Sequence, residues 1–355
     1  MTPTLTSEQV EVPADGAALY ELALEGRWGD GVAIIAATDE RILAMLAASP
    51  LAPDHVVGAL PPQYGVATVE LVAVNAVMAG CEPAAFPLVL AALEAILTPE
   101  WNAYGLTTTT SSVFPMLIVN GPSRDDLQID YRAGCMGGAA GRGSMTIGRA
   151  VSLCLRNIGG QRAGETSRSV FGQPARFGMC FGEWEERSPW PSLARRRGFR
   201  ENQDVVTAHG GKGTFPLADI NNDDPRDLLY LIAKSIAFPL SNMFLGGTGE
   251  NGEVVVAINP IWADRFATAF PAVESLQEYL WEHAWQPIDL WPAGNQVILR
   301  SKGRVDDDGR VALVRRPDQI VPIVCGGLGS LHAIALPSFG ESQMQSAAAV
   351  TGSAS

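Results

Sequence analysis

The order of apolar and polar positions along this 355-residue chain divides it into two kinds of segment. Short continuous apolar runs at 32–36, 116–119, 177–181, 205–208, 254–258 and 319–325 have the length and the β-branched content of buried strands. Between them lie stretches with apolar residues three and four apart. These predict helices over 17–24, 40–48, 68–78, 83–97, 147–155, 224–238 and 275–283, with another starting at Pro260. Gly80 closes one helix and Gly159 with Gly160 another, while Pro83 opens a third at the position where a missing N–H is no loss. The helices of 66–97 are apolar nearly all round, which puts them between layers or at a subunit contact, and the chain is expected to form a homo-oligomer.

Strands alternating with helices predict an α/β fold, a mixed or mostly parallel sheet flanked by helices. Residues 16–341 read as a single unit, with two intimately packed lobes as the alternative. Residues 1–15 read as a flexible N-terminus and 342–355 as a disordered tail rich in Ala, Ser and Gly. Pro322 restricts its strand to a sheet edge or a bulge.

Three times an apolar run empties into glycines. The run 116–119 stops at Asn120-Gly121-Pro122, and a loop holding Gly134, Gly137, Gly138, Gly141 and Gly143 then leads through Ser144 into a helix. Unpaired N–H groups and the positive end of the helix dipole would meet Arg142 there, a setting suited to a carboxylate or phosphate. The spacing matches neither the dinucleotide fingerprint nor the Walker pattern, so it identifies no cofactor, and a tight packing turn is the plainer alternative. The second junction runs into His209, Gly210, Gly211 and Lys212. The third runs into Gly326, Gly327 and Gly329, with His332 beyond.

Such junctions meeting at one sheet edge would form a backbone-lined pocket for a small anionic substrate. Asn120, Gly137, Gly138, Gly141, Arg142, Gly143, Ser144, Lys212, Gly326 and Gly327 would bind it. Candidate chemical groups are His332, Glu183, Glu185, Cys135 and His209. Glu183 and Glu185 lie in a loop with Trp184 and Trp190, and a carboxyl covered by tryptophan would have a raised pKa and could move protons. A salt-bridge cluster is the more frequent use of such a loop.

The formal charge of −13 disfavours nucleic acid and anionic membranes as partners. Cys81, Cys135, Cys154, Cys180 and Cys325 show no CxxC spacing, which fits a reducing, cytoplasmic setting without a disulfide framework. The N-terminus lacks a basic-then-apolar leader, and Glu70, Asn75, Glu82 and Pro83 interrupt the most apolar region, which argues against a bilayer span. His55, His209, His283 and His332 form no ligand motif, so no metal site is expected.

Six segments taken together resemble a family of bacterial proteins associated with partners or adjoining domains bearing a UGSC or CGSC motif, a selenocysteine or cysteine followed by Gly-Ser-Cys. They are PPQYGVATVELVAVNAVMAGCEP (61–83), TIGRAVSLCLRNIGG (146–160), CFGEWEERSPW (180–190), INPIWADRFA (258–267), LWEHA (280–284) and IVCGGLGSLHAIALPSFG (323–340). The resemblance marks Gly80 with Cys81, Asn120 with Gly121 and Pro122, Arg149, Glu183, Glu185, Glu186, His283 and His332. It implies a fold unit and candidate positions, and names no reaction. The glycine loop departs from the family's Asn-richer version, which puts its substrate contacts in doubt, and the chain has no UGSC or CGSC of its own.

Three functions fit. The first is an enzyme of lyase or hydratase type, with the loop and Arg142 holding an anion while His332 or Glu183 moves protons. The second is a thiol-dependent redox subunit, in which Cys135 or Cys180 works with a partner's CGSC or UGSC centre. The third is a non-catalytic binding or scaffold subunit that uses its apolar helices.

Overall fold

The computed structural model describes residues 4–137, 141–237, 250–329 and 332–351. The first part of the chain forms α1 (Gly16–Glu25), α2 (Asp39–Leu46), β1 (Val56–Leu60), β2 (Gly65–Thr68), α3 (Val69–Ala79), α4 (Phe86–Leu97) and α5 (Ala103–Thr108). Next come β3 (Phe114–Asn120), α6 (Ser123–Asp126), α7 (Arg142–Asn157), β4 (Met179–Gly182), α8 (Leu193–Arg196), β5 (Val205–Gly211) and β6 (Phe215–Ala218). The remainder forms α9 (Pro225–Ile236), β7 (Val254–Ile258), α10 (Pro260–Ala269), α11 (Val273–His283), β8 (Trp285–Pro287) and α12 (Ala293–Ser301). It ends with β9 (Arg310–Ala312), β10 (Ile320–Val324), β11 (His332–Pro337) and β12 (Gln345–Ala348).

Two four-stranded sheets occupy the centre, one ordered β12-β5-β3-β4 and the other β10-β7-β11-β6. In each, one edge strand runs parallel to its neighbour, β4 to β3 and β10 to β7, and the other two pairings are antiparallel. The two halves of the chain thus build the same pairing pattern twice. Their last strands are exchanged: β6 follows β5 but pairs with β11, and β12 follows β11 but pairs with β5. At the crossing, Lys212 N–H donates to the Pro337 carbonyl and Phe339 N–H to that of Gly210, both at 2.9 Å.

Side chains alternate across a strand, and three cores result from that alternation. Leu117, Val119, Val206 and Ala208 pack with α3, α4 and α7. Val254, Val256, Ile258 and Val324 pack with α9, α10 and α11. Met116, Ile118, Phe181, Val255, Val321 and Leu336 fill the space between the sheets. The layers therefore run helix, sheet, sheet, helix. Both faces of β5, β7 and β10, and nearly all of β3, are buried, which is why these strands read as unbroken apolar runs rather than as alternation. The all-round apolar character of α3 and α4 has the same cause, since α3 lies against α2 and α7 and α4 lies across β5 and β12. Among the described residues no single helix is long and apolar enough to cross a membrane.

Pro322 sits in β10, an edge strand, so its missing N–H breaks no ladder. Three expectations need correction. Residues 32–36 form no strand; they run extended along α3, with Ile35 N–H donating to the Met78 carbonyl at 3.2 Å. The stretch from 342 is no disordered tail over its described part, because Ser342 and Met344 are buried and 345–348 complete the first sheet as β12. The N-terminal segment is tied down at Thr6 and Ser7, whose N–H groups donate to the Glu70 carboxylate at 2.8 and 2.6 Å. Phe238, the expected end of the α9 helix, lies outside the described residues.

Candidate active site

The alternation that builds the inter-sheet core also decides which side chains stand at the strand ends. Continuing the same phase past the last apolar residues places Asn120 after Ile118, Glu183 after Phe181, Asn259 after Ala257 and Cys325 after Ile323. Polar groups therefore gather at the carboxyl ends of the two parallel strand pairs, the end where α/β proteins seat ligands. The chain just past β4 reaches the end of β10, for Trp184 N–H donates to the Val324 carbonyl at 2.7 Å.

Beside these ends lies a cavity of about 400 Å³ whose wall includes Cys135, Asn259, Cys325, Gly326, Gly327 and His332. Two of the three expected glycine junctions build it. Gly326 N–H donates to the Tyr131 carbonyl at 2.9 Å, and a Cβ on Gly327 would stand 3.2 Å from that of Ala133, so the two turns touch. Gly326 turns with φ of 92°, a conformation glycine takes at no steric cost. Asn259 fastens the third side: its Oδ1 accepts from Trp262 N–H at 3.0 Å, capping α10, and its Nδ2 donates to the His332 carbonyl at the start of β11.

Two thiols meet in this wall. Cys135 is 5 % exposed and Cys325 3 %. The Cys325 thiol donates to the Cys135 sulfur, and with help from Gly326 N–H this holds Cys135 below the ordinary thiol range although burial pushes the other way. Cys325 is raised well above it, first by that same bond, then by burial and by the negative charges of Cys135 and Glu183. Of the two, Cys135 is the one whose ionisation the surroundings favour. Glu183, 1 % exposed, stands behind it and does not line the cavity. Burial raises its carboxyl against the opposing effect of Arg196 and of the bonds from Asn120 Nδ2 and Leu193 N–H, each 2.7 Å to Oε2.

His332, Cys135, Gly326 and Gly327 come together here, and the other expected site residues do not. Arg142 lies on the outer surface, where its guanidinium donates to the Gly80 carbonyl at 3.1 Å. The helix N-terminus it was expected to share with an anion is already occupied: Gly141 N–H donates to Asp130 Oδ2 at 3.2 Å and Gly143 N–H to the Leu127 carbonyl at 3.0 Å. Gly141 and Gly143 serve packing, since a Cβ on either would come within 2.4 Å of that segment. Ser144 Oγ accepts from Asp130 N–H at 2.7 Å. Glu185 accepts from Gly121 N–H at 2.7 Å and pairs with Arg124 at 3.2 Å, so the salt-bridge reading holds for it. Asn120 orients Glu183.

His209 is wholly buried between the sheets, with Nε2 2.8 Å from the Leu336 carbonyl, and burial lowers its pKa to about 4. Lys212 lies beside it at the strand crossing, on the far end of β11 from His332. Gly137 ends a described segment in a positive-φ turn, and Gly138 lies outside the described residues.

Sequence reasoning left out Cys325 and Asn259. The signal for both was the phase of their strands, which carries the odd positions of 321–325 and of 255–259 onto one face. Among the described residues no group of three or more His, Cys, Asp and Glu side chains could hold a metal ion. A larger hollow of about 1040 Å³ lies beneath the N-terminal segment; its wall is mostly apolar, the amides of Asn75 and Asn157 in it bond each other at 2.8 Å, and its described lining holds no cysteine or histidine.

Fold and site together define an α/β protein with a doubled, strand-exchanged pair of sheets and a dithiol cavity at their carboxyl ends. Comparison of the chain with family models, with curated proteins and with solved structures finds no match.

Proposed function

We propose that this chain is an enzyme whose nucleophile is the Cys135 thiolate, acting on a small molecule held between the Gly134 and Gly326 turns. The observation that carries this reading is a pair of cysteines, Cys135 and Cys325, in the wall of one cavity and in one packed cluster. A thiolate is the reactive form of cysteine, and a neighbouring donor that stabilises it at neutral pH is what a nucleophilic cysteine requires. Cys180, the other thiol considered for this role, is the weaker candidate: it faces the helical layer and burial pushes its pKa up. No partner with a CGSC or UGSC centre is needed, because Cys325 supplies the second thiol from within the chain. The lyase reading keeps His332 at the cavity and loses Arg142, so among the described lining residues no Lys or Arg stands ready to hold an anionic substrate.

The test is alkylation by iodoacetamide at neutral pH, with peptide mapping of the products. Cys135 should be labelled faster than a free thiol and ahead of Cys81, Cys154 and Cys180. Cys135→Ser should abolish the fast phase. Labelling of Cys135 no faster than an unfolded control would refute the reading.

A further inference from the structure

Cys135 arrives on a loop and Cys325 on a strand end; both line the same cavity and pack in the same cluster, and the turns that carry them are joined by the Gly326 N–H bond to the Tyr131 carbonyl. A nucleophilic thiolate needs a donor, and a backbone N–H would be enough. A second thiol in that place can also attack. Ala133, Gly134, Gly329 and His332, which line the same cavity, are exposed, so among the described residues the cavity extends from the two cysteines to the surface. Cys81, Cys154 and Cys180 are buried against the helical layer and do not line this cavity.

We propose that Cys135 and Cys325 are a dithiol–disulfide couple that reduces low-molecular-weight disulfides. This rests on Cys135 being the nucleophile and goes beyond it by assigning the reaction class and the role of Cys325. In the first step the Cys135 thiolate attacks one sulfur of R–S–S–R; the Cys135–S–S–R bond forms, the substrate S–S bond breaks, and RS⁻ leaves. In the second step Cys325 attacks the Cys135 sulfur of that mixed disulfide. The intramolecular S–S bond forms, the bond to the second R–S breaks, and the Cys325 proton departs with that sulfur as RSH. The protein has lost two electrons and the substrate has gained them. The Cys135 charge disfavours a second anion beside it, and the mixed disulfide removes that charge, so Cys325 ionises and attacks only in the second step, its proton passing to the leaving sulfur; this orders the two attacks.

The experiment uses the whole reduced chain and bis(2-hydroxyethyl) disulfide, with release of 2-mercaptoethanol and non-reducing peptide mapping as readouts. The expected result is about two thiols released per chain and a single cross-link joining the Cys135 and Cys325 peptides. Cys325→Ser should stop at a stable mixed disulfide on Cys135 with about half the release, and Cys135→Ser should fall to background. A wild-type chain that halts at the mixed disulfide overturns the couple and leaves the nucleophile intact. Cross-links through Cys81, Cys154 or Cys180 overturn it as well. Absence of any reaction at Cys135, with iodoacetamide also slow, removes both readings together.

Discussion

Cys135 and Cys325 differ in protonation because one hydrogen bond acts on them in opposite directions. The donor is stabilised as a thiol and the acceptor as a thiolate, while burial pushes both upward and so works against the lowering of Cys135. Removing the donor should therefore change Cys135 before anything else. In Cys325→Ala the Cys135 pKa rises, and the pH profile of its alkylation moves to higher pH while the plateau rate at alkaline pH is retained. An unshifted profile would mean that Gly326 N–H alone sets the thiolate. The same residue scale explains which site groups were legible. Cys135 and His332 could be picked out because they sit in or just after glycine turns, whereas Arg142 misled because a cation near a helix start looks the same whether the helix end is free or capped. Here Asp130 and Leu127 cap it from a segment whose approach no local pattern announces.

At the scale of elements, strands 116–119, 205–208, 254–258 and 320–324 were readable because burial on both faces leaves an unbroken apolar run. β12 was not. Its sequence, Gln-Ser-Ala-Ala, is that of a tail, and it becomes a strand because small side chains fit beneath α4 and because β5 offers an unpaired edge. Strand identity there comes from the partner. The helix α7 likewise depends on closeness that composition hides: a Cβ on Gly148 would stand 2.7 Å from the Met179 backbone nitrogen, where β4 begins. Gly148→Ala should thus lose about 1–3 kcal/mol through forced separation of α7 from the sheet. Gly294→Ala, in α12 with open space around it, should gain up to about 1 kcal/mol. Urea titrations of both variants give the comparison, and equal midpoints would contradict this account of the packing.

For the whole molecule, the exchange of β6 and β12 means that neither sheet is complete within its own half of the chain. The inter-sheet core adds a second bond between them, since Met116 and Ile118 share it with Val255 and Ile323. The chain should accordingly unfold in one calorimetric transition, with van't Hoff and calorimetric enthalpies in agreement. Removal of residues 343–355 should lower the midpoint of that single transition and not split it. Two separate transitions in the intact chain would show that the lobes are independent.

The exchange also dictates an order of events during synthesis. β3, β4 and β5 leave the ribosome with the flank of β5 bare, and they stay so until the opposite half has been translated and β12 returns to cover it. A seven-residue strand with buried-type side chains and free amide groups is a template for pairing with any neighbouring chain. Its shielding over that interval is a task for the cell's holding machinery, and slow translation between β5 and β12 would lengthen the exposure.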